Sequence, residues 1–147
     1  MISYNDIQFI LKQKAPFIFV DKVIEYEKGK KIISLKNVTG SELFSAFHFP
    51  DNPVYPGIFI IESIAQTTAI LCSLDMAENV NDQIQFLALG GLQRISFLKP
   101  VRPGDTLRIE VEAIKLLPKM AIVKAIVKVD DAMVAKGQLS FGAVKNE

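Results

Sequence analysis

The sequence has little of the material from which several large classes of protein are built. Its 147 residues include one cysteine, Cys72, which excludes an internal disulfide and a cysteine-based zinc cluster. The 17 basic residues nearly balance the 16 acidic ones, and the net charge of +1 provides no overall field that would attract nucleic acid or an anionic membrane. Electrostatic recognition of a partner must therefore be local, and we expect no nucleic acid partner.

A long uninterrupted hydrophobic run is also missing. The most apolar region, residues 54–74, contains Pro56, Gly57 and Glu62, so a membrane-spanning helix is not expected. An acidic residue and several polar ones stand near the beginning of the sequence, where a signal peptide needs a basic stretch and an apolar run. No repeat, low-complexity tract or linker interrupts the chain. We therefore expect one domain over residues 1–147, located in the cytoplasm and without a membrane partner.

Hydrophobic periodicity predicts a short helix, two strands, one long helix and four further strands. Ser3 with Asp6 suits the capped start of a helix that ends near Lys12. Gly29 is a predicted turn, and prolines should keep residues 39–53 irregular. Strands are predicted at residues 17–28, 30–38, 84–98, 106–117, 120–129 and 132–144, with a candidate irregularity at Gly90–Gly91 and a turn at Pro103–Gly104–Asp105.

The long helix is predicted to begin at Pro56–Gly57 and to continue to about Ala77, before a polar loop at residues 78–82. Its apolar residues cover nearly the whole circumference, which is typical of a buried helix. Because no helices separate the last four strands, their sheet should be antiparallel. The predicted fold class is α+β, with a long antiparallel sheet wrapped around one central buried helix, which is the hot-dog fold.

His48 is the only histidine, and it lies in the segment FHFPDNPVYPG. A lone histidine is more often structural than catalytic. This one, however, stands in a proline-stiffened loop that leads into the buried helix, and loops held by a rigid scaffold commonly carry reactive groups. We therefore consider His48 a candidate acid–base group, with a structural role as the alternative.

Glu62 is the only charged residue between Asp51 and Asp75. An unpaired carboxylate on an apolar helix is costly to desolvate, so this group is a candidate proton donor. The alternative is a carboxyl group satisfied in the core by Gln66 or by a backbone group. Gln66 follows one turn later on the same helix face, where it could orient the carboxyl group or bind substrate.

Gly57 is a candidate binding position because the first N–H groups of a helix lack partners and carry the positive end of its dipole. A carbonyl oxygen placed there would be polarised, and glycine allows a close approach; the alternative is simply a tight start to the helix. Cys72 is expected in the core, and Ser63 is a weak nucleophile candidate because no GxSxG motif accompanies it. No Walker motif, dinucleotide fingerprint or metal-ligand cluster is present, so we expect proton-transfer chemistry without a cofactor or metal.

Nearly the whole chain resembles the beta-hydroxyacyl-acyl-carrier-protein dehydratases of the FabZ type. The strongest match is HFPDNPVYPGIFIIESIAQ, which is similar to a family pattern of HFPG-x-P-x-MPG followed by a helix with E-x-x-AQ. PFIFVDKVIEYEKGKKIISLKNVT resembles the first two strands of that family, and RISFLKPVRPGDTLRIEVE a later strand–turn–strand. The resemblance implies dehydration of a 3-hydroxyacyl thioester on acyl carrier protein to the trans-2-enoyl thioester, as in fatty acid biosynthesis.

The resemblance also implies roles for individual residues. His48 would remove the proton from C2, Glu62 would serve the departing 3-hydroxyl group, and the Gly57 N–H would hold the thioester carbonyl. Substrate contacts are implied for Gln66 and for two bulky neighbours of the pair, Phe47 and Tyr55.

The family further implies a homodimer in which His48 faces Glu62 of the partner subunit, often within a trimer of dimers. Many relatives have a cis peptide before the residue equivalent to Pro53, so the bond from Asn52 to Pro53 is a candidate cis peptide. Because carrier proteins are acidic, a basic rim should surround the site. Its candidate residues are Lys12, Lys14, Arg94, Lys99 and Arg102.

The chain departs from the family pattern near the site. Phe47 replaces a usual glycine, Asp51 another glycine and Tyr55 a methionine, while residues 12–17 replace a Pro-His-Arg-Tyr-Pro-Phe run. These changes keep the catalytic pair and permit a specialised substrate, for instance in a secondary-metabolite pathway. Two other functions stay open: a hot-dog acyl thioesterase, and a non-catalytic homologue that binds an acyl chain or a carrier protein.

Overall fold

The computed structural model of the protein describes residues 1–76 and 84–145. The predicted order of elements is confirmed, with a short 3-10 helix added in the irregular loop. The elements are α1 (Tyr4–Ile10), β1 (Lys22–Glu27), β2 (Lys31–Asn37), the 3-10 helix (Leu43–Ala46), α2 (Gly57–Met76), β3 (Ile84–Phe97), β4 (Thr106–Leu117), β5 (Met120–Val129) and β6 (Ala132–Lys145). The predicted last residue of the long helix, Ala77, and the polar loop at 78–82 lie outside the described residues.

The six strands form one antiparallel sheet in the order β1-β2-β4-β5-β6-β3. The sheet has one apolar face, as strand β4 illustrates. Its alternate residues Leu107, Ile109 and Val111 are buried, and their side chains lie on the face toward α2. Helix α2 packs mainly against β2 and β4, the second and third strands of the sheet from the β1 edge. The predicted α+β class and the hot-dog arrangement of sheet and central helix are confirmed.

Helix α2 is less completely buried than its composition predicted. It is long and apolar enough to span a membrane, but half of its most hydropathic window is buried inside the protein, as in a core helix. One side faces the sheet and is fully buried around Ile64 and Leu71, whereas Ile58 on the other side is 69% exposed and Glu62 is half-buried. The expectation of burial on all sides is wrong for the single chain, because the sheet covers only one side of the helix.

The segment before β1 also differs from the prediction. A strand was expected from residue 17, but β1 begins at Lys22. The reason is that the backbone of this segment pairs with a side chain: the Phe19 N–H donates to Gln66 Oε1 at 2.8 Å, and Gln66 Nε2 donates to the Phe17 carbonyl at 3.0 Å. A glutamine from α2 thus takes the place of a neighbouring strand.

Strand β3 is 14 residues long and forms one edge of the sheet. The predicted irregularity is confirmed, since the pairing with β6 shifts register between Leu89 and Gly91. Apolar side chains along this edge are exposed, among them Leu89, Leu92 and Phe97. A long apolar edge strand is a surface on which another chain can pair.

Candidate functional site

His48 is held by a backbone carbonyl. Its Nδ1 lies 2.9 Å from the Val54 carbonyl oxygen, and the Val54 N–H returns a bond to the His48 carbonyl at 2.8 Å. A carbonyl oxygen only accepts, so in the neutral imidazole Nδ1 must carry the hydrogen and Nε2 must carry the lone pair. The half-buried ring also stacks on Phe49 with a centroid separation of 4.4 Å. The imidazole is therefore oriented with Nε2 as a proton acceptor.

The loop before His48 is fixed by a buried aromatic residue. The N–H groups of Phe47 and His48 both donate to the Phe44 carbonyl, at 3.0 and 2.8 Å. Phe44 is buried and packs edge-on against the ring of Tyr55 at 5.2 Å. The 3-10 helix thus anchors the histidine backbone to the core.

The candidate cis peptide before Pro53 is not observed. In the described residues the cis peptides are Ala15–Pro16 and His48–Phe49, and the bond from Asn52 to Pro53 is not among them.

Glu62 differs from the unpaired, buried carboxylate that the sequence suggested. It is half-buried in the single chain, and its Oε1 accepts a hydrogen bond from Gln66 Nε2 at 3.0 Å. Gln66 itself is fully buried and uses its other polar groups on the backbone of Phe17 and Phe19. Of the two roles considered for Gln66, orientation of the carboxyl group is the one that its contacts support.

Gly57 lies at the start of α2, where the prediction required a close approach. A Cβ atom built on it would lie 2.9 Å from Cζ of Phe97, so any larger residue would require this half-exposed ring to shift. The group that approaches Gly57 in the single chain is thus an aromatic side chain of β3. Gly57 and Phe97 line a cavity at this end of the helix together with Val54 and Tyr55.

The two bulky residues beside the pair are placed differently. Phe47 is 61% exposed next to His48, whereas Tyr55 is almost fully buried and its N–H donates to the Val101 carbonyl at 2.7 Å. Phe47 is therefore available to an external group, and Tyr55 lines the cavity beside Gly57.

The remaining candidates behave as core or surface residues. Cys72 is buried, which raises the pKa of its thiol to about 12, with a smaller contribution from the charge of Asp75. Ser63 donates its hydroxyl hydrogen to the Phe59 carbonyl at 2.9 Å. The burial of Cys72 agrees with the core position expected from the sequence, and the hydrogen bond of Ser63 agrees with its weakness as a nucleophile candidate.

The five basic residues proposed for a rim are all exposed. Two of them also bond to the protein: Lys14 Nζ donates to the Gln8 carbonyl at 2.6 Å, and Arg102 donates to the Asn52 side chain. Across residues 1–76 and 84–145, no three side chains of the histidine, cysteine, aspartate and glutamate types come together as a metal site would require.

The single chain does not join the candidate pair. No hydrogen bond found in residues 1–76 and 84–145 connects His48 with Glu62, and none of the main cavities in this part of the chain is lined by both. Each group is oriented separately, His48 by Val54 and Glu62 by Gln66.

Comparison with known proteins assigns the chain to a family. The FabA-like domain family matches residues 11–138, which is most of the chain and includes His48, Gly57 and Glu62. The chain belongs to this family. Among FabA-like proteins it is of the FabZ type, because a protein named 3-hydroxyacyl-acyl-carrier-protein dehydratase FabZ from Acetivibrio thermocellus is 38% identical over 144 residues, or 98% of this chain and 96% of that protein. A protein of the same name from Clostridium tetani is 44% identical over 141 residues, covering 95% of this chain and 96% of the relative.

A solved structure supports the fold of this FabA-like chain. The dehydratase heterocomplex ApeI:P from Xenorhabdus doucetiae superposes with a TM-score of 0.81 at 18% identity, over 95% of this chain and 91% of that one. At this identity the likeness concerns the fold.

Sequence reasoning missed three contributors to the candidate site. Phe97 was seen only as part of a strand, although its ring packs on Gly57. Phe44 and the Val54 carbonyl, which hold the histidine loop, gave no signal because backbone acceptors and loop aromatics have no distinguishing pattern. A signal for Phe97 could have come only from the proximity of β3 to the start of α2.

Proposed function

We propose that the chain dehydrates 3-hydroxyacyl thioesters carried on acyl carrier protein to trans-2-enoyl thioesters, as a hydro-lyase of fatty acid biosynthesis. The observation that carries the proposal is the hydrogen bond from His48 Nδ1 to the Val54 carbonyl, which leaves Nε2 as a proton acceptor. The FabZ relatives, named as dehydratases of this substrate, support it over nearly the whole chain.

The proposed reaction needs one base and one acid. Nε2 of His48 takes the proton from C2 of the acyl chain, and the electrons of that C–H bond form the double bond between C2 and C3. The bond from C3 to oxygen breaks, and the hydroxyl group leaves as water with a proton from Glu62. The positive end of α2 at Gly57 stabilises the negative charge that develops on the thioester oxygen.

The site is proposed to be completed by a second copy of the chain. Three features support a homodimer: His48 and Glu62 are oriented but not joined in one chain, β3 is a long unpaired edge, and Ile58 and Phe97 expose apolar surface at the start of α2. In this arrangement His48 faces Glu62 of the partner subunit. A trimer of dimers remains the expectation for the larger assembly.

Three further proposals concern the carrier protein, the domain and the location of the protein. The acidic carrier protein is proposed to dock on the exposed basic residues beside the site, of which Lys99 lines the cavity at Gly57. Residues 1–147 are proposed to form one domain, supported by the single sheet. The cytoplasm is proposed as the location.

Turnover of 3-hydroxybutyryl and longer 3-hydroxyacyl thioesters tests the function. We expect the enoyl product, detected by its ultraviolet absorbance, and hydration when a crotonyl thioester is supplied. Release of free thiol without enoyl product would instead assign a thioesterase. Binding without either reaction would assign a non-catalytic homologue.

A further inference from the structure

A buried ion pair joins the sheet to the loop that carries His48. Lys36 on β2 places its Nζ 2.7 Å from Glu42 Oε1, and the two side chains are only 9% and 18% exposed. Asp21 is the second carboxylate near this lysine, at 4.0 Å, and its Oδ2 also accepts the Asn37 N–H at 2.7 Å. The shortest contact of Lys36 is therefore the one with Glu42.

The position of Lys36 is unusual for a lysine. Ile32, Ser34 and Lys36 are alternate residues of β2, and all three are buried on the side of the sheet that faces the helix. On this side the Ser34 hydroxyl lies 2.7 Å from the Thr67 hydroxyl of α2. A lysine at such a position is costly to desolvate unless a carboxylate pairs with it. Glu42 supplies that carboxylate from outside the sheet.

Glu42 stands at the start of the 3-10 helix that ends beside His48. The Ser45 N–H donates to the Glu42 carbonyl at 3.0 Å, which starts the turn, and the Phe44 carbonyl accepts the His48 N–H at 2.8 Å. Only five residues lie between Glu42 and His48, and these hydrogen bonds link them into one short helical segment.

After His48 the loop is held by the bond from Arg102 to the Asn52 side chain and by the bond from the Tyr55 N–H to the Val101 carbonyl, whereas Ser45, before His48, provides no such tether. In the described chain, the hydroxyl oxygens of Ser45 and Tyr55 are buried without a hydrogen-bond partner. Before His48 the loop also packs on the core through the ring of Phe44, which lies 5.2 Å from the ring of Tyr55. Aromatic packing limits separation from the core but does not fix the register of a loop as an ion pair with defined geometry does.

We propose that Lys36 and Glu42 are positioning residues for the dehydration: their buried ion pair fixes the loop so that the His48 imidazole keeps its bond to Val54 and presents Nε2 to substrate. This inference rests on the proposed function. Neither residue touches the substrate, and both act through the backbone of the 3-10 helix. A small shift of an oriented acid–base group is enough to slow a reaction strongly.

The test uses the full-length protein and three variants, Lys36→Met, Glu42→Gln and the double variant. With a 3-hydroxybutyryl thioester we expect kcat to fall by about ten- to a hundredfold in each single variant, with KM changed less than about threefold. The kcat of the double variant should be no lower than that of the less active single variant, because both changes break the same ion pair. If Lys36→Met does not fold, Glu42→Gln, which keeps the shape of the side chain, carries the test.

Two control variants separate positioning from general stability. Lys30→Met removes an exposed pair with Glu27, 2.9 Å long, and should keep wild-type kcat. Val127→Ala removes methyl groups from a fully buried residue of β5 and should lower the midpoint of thermal unfolding while kcat at a lower temperature stays unchanged.

The single histidine provides a second readout that does not depend on turnover. In protein labelled with ¹⁵N-histidine, the two ring nitrogens of the wild type should report the Nδ1–H form, and both single variants should shift toward a mixture of the two tautomers. Unchanged ring signals together with kcat within twofold of wild type would overturn the inference. Absence of turnover by the wild type would instead contradict the proposed function, while the ring signals would still test the positioning.

Discussion

Gln66 Nε2 lies 3.0 Å from Glu62 Oε1, one helical turn away on α2, and the same glutamine side chain bonds the backbone of Phe17 and Phe19. One buried amide thus connects the candidate acid to the segment that leads into β1. Because the amide donates to Glu62 and accepts from Phe19, its orientation is fixed, and with it the direction of the carboxyl group.

We predict that Gln66→Leu lowers both activity and stability. The variant leaves the buried Phe19 N–H without its acceptor, which should cost about 1–3 kcal/mol in the free energy of unfolding. Release of Glu62 should reduce kcat at least about tenfold. Denaturant unfolding and steady-state turnover measure the two effects. Thr68→Val, which removes a hydroxyl bonded to Ile64 inside the same helix, is the control and should retain kcat; wild-type kcat in Gln66→Leu would contradict the orienting role.

Mixed dimers test whether the site is shared between subunits. His48→Ala and Glu62→Gln should each lower kcat at least about a hundredfold. If each site combines His48 of one subunit with Glu62 of the other, a mixed dimer has one intact and one doubly defective site. Random exchange of equal amounts of the two variants should then restore about a quarter of wild-type activity, because half the dimers are mixed and each has one of two sites intact.

The control for this experiment is the double variant His48→Ala with Glu62→Gln. Mixed with either single variant it can form no intact site, so no activity should return. Mass spectrometry of differently tagged chains establishes that exchange has occurred. Mixed dimers that form without recovery of activity would show that both groups act within one chain.

The regular elements were predictable because their signals are local. The alternation in β4 and the turn residues on either side fixed its bounds as residues 106–117, which are the bounds observed, and Pro56–Gly57 placed the start of α2 correctly. His48, Glu62 and Gly57 could be named as candidates from the sequence because all three lie in one short segment of the chain, where the signal is again local.

The rest depended on contacts that are distant in the sequence. Residues 17–19 have the composition of a strand, but the partner of their backbone is the side chain of Gln66, 47 residues beyond Phe19. From the sequence, Lys36 is simply a charged residue near the end of a strand, because its ion pair with Glu42 forms only in the folded chain. The exposure of Glu62 was unexpected because a helix with apolar residues on all sides gives no indication that one side stays uncovered in the single chain.

The contact between Gly57 and Phe97 predicts an overpacking effect. Gly57→Ala would place a Cβ atom 2.9 Å from Cζ of Phe97, and the shift that it forces on this half-exposed ring should lower the free energy of unfolding by up to about 1 kcal/mol. Phe97→Ala in the same chain should remove this penalty, which a double-mutant cycle of denaturant unfolding would measure as a coupling between the two positions. Gly40→Ala is the control, since a Cβ there meets no atom within 4 Å; equal effects at the two glycines would contradict the steric explanation.

Tyr26 predicts a loss of stability in alkali. Burial, the hydrogen bond to Asp75 and the charge of that carboxylate together raise the pKa of its hydroxyl from 10.0 to about 12. The folded state therefore favours the protonated phenol, so this contribution to stability is complete below pH 10 and is lost as the pH rises through 12.

Tyr26→Phe is expected to make the free energy of unfolding less dependent on pH across that window, because phenylalanine has no proton to release. Burial raises the pKa of Tyr55 as well, so part of the dependence should remain in this variant. Urea unfolding at a series of alkaline pH values measures the slope, with Tyr4→Phe as the control for the loss of an exposed tyrosine. Identical slopes for the wild type and Tyr26→Phe would mean that the contact with Asp75 does not favour the protonated phenol in the folded state.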